Sequence, residues 1–295
     1  MRRNRAEANF QEARLASRAH PARGAIARRR TLAELTQRKG TAVPLVCATA
    51  YSAPMAALID DEVDLIVVSD ALAKWVYGLD SALPVTLDMM IAHGAAVVRA
   101  TGRAMVAVDL PFGSYQDSPA NGYRSAARVL AETEADAVVL KGGAEMAETV
   151  RFLVERGVNV IGHAIGPVRQ TRLAGLAAAG QSDAGARRLL ADAAAIAAAG
   201  ACALVVECVP SAVAAEIRRA IPVPTIGLGS GPDCDGQLLI LNDMLGLGLD
   251  RPPRYVRRYA DLAPLIMGAV SDYARDVRTR KFPGPTETDV VPTDR

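Results

Sequence analysis

From residue 44 onward the chain repeats one pattern: a run of five to seven mostly apolar residues, then a longer stretch whose apolar positions return every three or four. The short runs are 44–50 (PLVCATA), 65–70 (LIVVSD), 104–109 (AMVAVD), 137–141 (AVVLK), 159–163 (NVIGH), 203–208 (ALVVEC), 224–228 (PTIGL) and 238–242 (LLILN). Near-continuous apolar runs, as opposed to alternating ones, mark strands buried on both faces, as in a parallel sheet covered by helices. Helices are predicted at about 53–62, 87–101, 120–134, 144–156, 184–199 and 211–220, and a longer one near 259–279, with Pro, Gly, Asp or Ser at many starts and stops. Eight strand candidates alternating with helices favour a closed α/β barrel, the (β/α)8 or TIM barrel, over an open doubly wound sheet.

Composition agrees with that reading. The 295 residues are 51% hydrophobic and 22% charged, enough for one large buried core with a soluble surface. The expected division is a basic, flexible extension over 1–30, the barrel over 31–283 and a loose Pro- and Thr-rich tail over 284–295. No apolar run approaches the roughly 18 residues of a membrane span, and no secretory signal follows the basic start, so a cytoplasmic protein without a membrane partner is expected. Cys47, Cys202, Cys208 and Cys234 form no CxxC pair or zinc spacing and are read as reduced thiols.

The net charge of +2 hides an asymmetry. Nine arginines against Glu7 and Glu12 give the first 30 residues +7, which leaves −5 for the rest. A nucleic-acid arm, an organelle address and a solvated extension all fit a basic segment; no aromatic residues interleave to support the first, and the two glutamates weaken the second. The solvated extension is preferred, and no nucleic-acid partner is expected. The cluster GLGSG (227–231) lacks the spacing of a dinucleotide fingerprint and is predicted to turn at the top of the seventh strand.

In a barrel of this kind, polar residues at the carboxyl ends of the strands face the site. Five neighbouring strands end in Asp70, Asp109, Lys141, His163 and Glu207. One such residue is unremarkable, because charges mark places where a chain leaves a core. Five in succession point to convergence on one site. Glu207 lies in an apolar run (LVVECVP), where desolvation is expected to raise its pKa toward a value suited to proton transfer.

These residues fall in segments that resemble the ketopantoate hydroxymethyltransferase family, in order from about residue 31 to 283: ATAY (48–51), VVSD (67–70), YGLDSALPVTLDMM (77–90), VDLPFGSYQ (108–116), VVECVP (205–210), PTIGLGSGPDCDGQ (224–237) and NDMLG (242–246) among them. The resemblance implies a barrel of the phosphoenolpyruvate/pyruvate-like superfamily in a homo-oligomer, a decamer or octamer. It also implies a magnesium ion, Mg2+, held by two aspartates and a glutamate, and a hydroxymethyl group delivered from methylene-tetrahydrofolate to the enolate of a 2-oxo acid. By motif, Asp70 and Asp109 match the metal aspartates, Glu207 the base, and His163 a histidine near the substrate.

The departures from the family pattern carry as much information. Where the family has Lys-x-Glu-Gly-Gly, this chain has Val139-Leu140-Lys141-Gly142-Gly143. Ala71 stands where a serine is implied to hold the substrate carboxylate, Ser52 replaces an acid, Asn242 replaces a histidine, and the loop 174–180 has become AGLAAAG. An ammonium about 4 Å from a divalent cation would cost roughly 8 kcal/mol at a dielectric near 20, as much as a micromolar affinity. No resident metal is therefore expected; Asp70 and Asp109 are the ligands if a cation binds. The expected reading is a diverged enzyme acting on a small carbonyl substrate. Glu207, Lys141 and His163 are its catalytic candidates, Asp70, Ala71, Asp109 and Val139 its substrate contacts. Lys141 replaces the metal's charge, either electrostatically or through a Schiff base. The alternatives are the orthodox reaction, with Asp243 or Glu145 as a substitute ligand, and a non-catalytic homologue.

Overall fold

The structure is a computed structural model and describes residues 28–164 and 180–288. Parallel strands β1 (Leu45–Thr49), β2 (Leu65–Val68), β3 (Met105–Asp109), β4 (Ala137–Lys141), β5 (Val160–Ala164), β6 (Ala203–Glu207), β7 (Thr225–Leu228) and β8 (Gly236–Leu239) close in sequence order, with β8 pairing back onto β1. Described helices are α1 (Leu32–Thr36), α2 (Ala53–Ile59), α3 (Leu72–Trp75), α4 (Leu87–Ala100), α5 (Pro119–Thr133), α6 (Ala147–Val154), α7 (Asp183–Ala198), α8 (Ser211–Ala220), α9 (Leu241–Met244) and α10 (Leu262–Arg278). Thr86, Ser118 and Ser182 cap α4, α5 and α7, each accepting a backbone N–H from the first turn. The start of α5 is further fixed by Pro119, whose missing N–H costs nothing there.

Strand alternation divides the apolar residues into two cores. Met105 and Ala107 of β3, Ala137 and Val139 of β4, Ile161 of β5, and Ala203 and Val205 of β6 fill the barrel interior. Val106, Val108, Val138, Leu140 and Val206 point the other way and pack with Val97, Val129, Leu153 and Ile196 of the helices. This parity positions the site: Asp109, Lys141, His163 and Glu207 each lie two residues beyond the last apolar interior position of their strand, so they continue the inner face into the mouth of the barrel. Gly162 holds β5 in place, since a Cβ there would stand 2.4 Å from Ile196 Cγ2 of α7.

The structure departs from the predicted elements at several boundaries. Predicted over 238–242, the last strand in fact ends at Leu239, because Ile240 is the N-cap of α9 and the Leu241 N–H donates to Thr49 Oγ1 at 3.1 Å instead of joining the sheet. The four-residue helices α3 and α9 are too short to leave a periodic signal. The glycine cluster does turn above β7, with Gly229 and Gly231 at positive φ. Arg29 donates to the carbonyls of Val98 and Thr101, and Arg30 pairs with Asp64, so the end of the basic stretch is tied to the barrel. Residues 1–27 and 289–295, and all of the loop 174–180 but Gly180, lie outside the described residues.

Candidate active site

The ends of β2 to β6 bring all five strand-end residues of the sequence reading together. The Lys141 ammonium stands between two carboxylates, 2.5 Å from Asp70 Oδ1 and 3.1 Å from Asp109 Oδ2. The Asp70 backbone N–H also donates to Asp109 Oδ2 at 3.1 Å, locking the two loops to each other. Behind the lysine, the buried Tyr115 hydroxyl donates to the Lys141 carbonyl at 2.9 Å and fixes the end of β4. Asp70, Asp109 and Lys141 are 8%, 2% and 8% exposed, so this is a buried ion triad and not a surface pair.

The second half of the site lies one and two strands further on. Register sets Lys141 opposite His163, and His163 opposite Val205, two residues before Glu207. His163 Nε2 approaches Glu207 Oε2 to 2.9 Å. Beyond that contact the buried Nε2 has no hydrogen-bond partner among the described residues. Glu207 keeps 22% of its side chain exposed, the group of the set most open to a substrate.

The electrostatics correct one expectation from the sequence. Burial does push the Glu207 carboxyl up, but the contact with His163, its charge and that of Lys141 outweigh burial and hold the group below the usual glutamate range. Glu207 is thus ionised, a base that waits without its proton. For Lys141, burial favours the neutral amine, yet Asp70, Asp109 and Glu207 hold its pKa above the ordinary lysine value. An ammonium so held is not a nucleophile, which counts against the Schiff-base form of the reading. Asp109 moves the other way: burial, aided by the charge of Asp70, lifts its pKa despite Lys141.

The substrate-contact candidates divide. Val139 is 1% exposed and forms part of the interior core directly below Lys141, whereas Ala71 is half-buried beside Asp70 at the head of α3. Of the proposed substitute ligands, Glu145 is committed to the Gly143 N–H at 2.9 Å, and Asp243 is a separate buried carboxyl whose pKa burial raises. As placed, the donor set does not fit a divalent cation, because the oxygens of Asp70 and Asp109 that would face it already hold an ammonium. Among the described residues no cluster of three or more acidic, histidine or cysteine side chains is arranged to hold a metal.

Sequence reasoning did not single out Cys208, which follows Glu207 with φ 52°, or Tyr255 beside it. Burial, then the charge of Glu207, pushes the Cys208 thiol up to about 11, so it sits in the site as a neutral group. An apolar run gives no sign of a left-handed turn at a cysteine.

A sequence profile of ketopantoate hydroxymethyltransferase matches residues 29–285. The chain belongs to the ketopantoate hydroxymethyltransferase family. It is 52% identical over 260 residues to a 3-methyl-2-oxobutanoate hydroxymethyltransferase of Rhodospirillum rubrum, covering 88% of this chain and 94% of that one. A protein of the same description from Bordetella petrii is 52% identical over 258 residues, covering 87% and 94%. Among solved structures, phosphonopyruvate hydrolase in complex with oxalate and Mg++ superposes with a TM-score of 0.55 at 13% identity, covering 84% of this chain and 87% of that one. Phosphoenolpyruvate phosphomutase from Streptomyces platensis subsp. rosaceus gives 0.56 at 14%, covering 85% and 88%. Those two likenesses concern the fold alone: ketopantoate hydroxymethyltransferase-family barrels share it with enzymes of the phosphoenolpyruvate mutase type. The family is one of transferases, and this member carries a lysine between its two site aspartates. Among the described residues no helix is long and apolar enough to cross a membrane.

Proposed function

We propose that this family member forms a carbon–carbon bond at the enolate of a small carbonyl substrate, in a reaction of the hydroxymethyl-transfer class. Glu207 takes the proton from the carbon next to the carbonyl, and Lys141 supplies positive charge for the enolate oxygen. His163 keeps Glu207 ionised, and Asp70 and Asp109 keep Lys141 protonated and aimed. One arrangement carries the reading: an ionised, partly open carboxylate two strands away from a buried ammonium whose own carboxylates fix it in place. Methylene-tetrahydrofolate is the first one-carbon donor to try.

The test is turnover of candidate carbonyl compounds with that donor, in chelator, for the wild type and for Glu207→Gln. Chelator is expected to change nothing, and the variant to lose about 10²- to 10⁴-fold in rate. Turnover indifferent to Glu207 sinks the proposal. A second reading is favoured by the 52% identity to named relatives: the reaction of those relatives on 3-methyl-2-oxobutanoate itself. Activity on that acid that rises with added Mg2+ and vanishes in chelator would select it.

A further inference from the structure

The lysine also bears on what charge the substrate brings, an inference that rests on the enolising reading above. Lys141 has one positive charge, and Asp70 and Asp109 already face it at 2.5 and 3.1 Å. Glu207 adds another carboxylate, held against His163. Whichever way Asp109 and His163 carry their protons, these five groups never sum to a positive charge.

The reaction then moves the negative charge of Glu207 onto the substrate, and any charge the substrate brings is added to it. The C–H bond next to the carbonyl breaks, the proton goes to Glu207, and the electron pair moves to the carbonyl oxygen. A 2-oxo acid treated this way becomes an enolate that bears two negative charges, one of them on its carboxylate. An uncharged carbonyl compound yields an enolate with only one. A single ammonium matches the second case and leaves the first under-compensated in a buried site, where unpaired charge is costly. Two neighbours do not repair the deficit, because the side chains of Ala71 beside Asp70 and Val139 below Lys141 bring neither charge nor a hydrogen-bond donor.

We infer that the site selects small carbonyl compounds with no free carboxylate beside the carbonyl, such as 2-oxo amides, over the corresponding 2-oxo acids. The probe is a matched pair, 3-methyl-2-oxobutanamide and 3-methyl-2-oxobutanoate, offered to the full chain in D2O with chelator, and deuterium uptake at C3 followed by proton NMR. Uptake into the amide is expected at least tenfold faster than into the acid, and to disappear in Glu207→Gln. Equal or faster uptake into the acid overturns the inference while leaving the enolising reading intact.

Uptake into neither compound is evidence against enolisation, and charge preference is then read from binding alone, by titration calorimetry with the same pair. Tighter binding of the amide supports the inference, and equal or tighter binding of the acid overturns it. Asp70→Asn, checked for a native melting transition, removes one negative charge beside the lysine. It is expected to shift the preference at least tenfold toward the acid, and no shift would count against the charge argument.

Discussion

Two buried aspartates at opposite ends of the barrel experience the same chemistry with opposite results. Asp235, just before β8, has a fully buried side chain that accepts from the Gly40 and Thr225 N–H groups, the Thr225 hydroxyl, Lys39 and Arg218. Burial pushes its pKa up, but those donors win and hold it at about 2. Asp109, at the end of β3, is as deeply buried but has one ammonium to share with Asp70 and one backbone N–H, and its pKa is lifted. The number of committed donors is what differs. Asp235 is saturated and serves the fold; Asp109 keeps unspent accepting capacity, and its lysine keeps residual field to act on something else.

The largest break in this comparison is expected from Lys141→Met. It leaves Asp70 and Asp109 facing each other in a buried site, and a loss of about 3–5 kcal/mol in urea unfolding is expected. A loss below about 1 kcal/mol would mean that the aspartates never depended on the ammonium.

Next comes Asp235→Asn, expected to cost about 2 kcal/mol near neutral pH. The sign follows from a folded pKa below the unfolded one. The Asp235 stabilisation is fully present above about pH 4 and is lost as pH falls toward about 2. Wild-type stability should therefore fall through that window by about 2 kcal/mol more than the variant's, measured by urea melts at several pH values. Equal slopes would move Asp235 out of the saturated class.

The smallest effect is a control at a helix cap that touches neither carboxylate. Ser118→Ala removes the side-chain cap that accepts the Asn121 N–H at 3.2 Å at the start of α5, with an expected loss of about 1 kcal/mol and no change in substrate preference.

Much of the architecture was legible because strand burial and strand parity are written in residue type. The runs that end in Asp109, Lys141, His163 and Glu207 predicted both the strands and the convergence of their ends, and parity explains why: each charge sits two places beyond a buried aliphatic residue of the inner face. A cation standing where an acid was implied marked Lys141 as a replacement for the metal's charge, and the structure places that charge between Asp70 and Asp109. The Glu207 pKa was misjudged, because the group that lowers it lies on the adjoining strand, and its approach depends on register and side-chain rotamer, not on the local run. The Asp235 network escaped notice for a similar reason, since Lys39 and Gly40 reach it from 196 and 195 residues away. Contacts of that range leave no mark on local periodicity.

A dissolved ion occupies a site according to its concentration and affinity, and it can be out-competed or stripped away. The Lys141 ammonium is covalently part of β4 and is synthesised with the chain. Its stoichiometry is one per folded molecule, in a medium rich or poor in metals, and no titration of the surroundings changes its occupancy. Its supply is governed by translation and folding, and the barrel that positions Asp70 and Asp109 delivers their counter-ion in the same event.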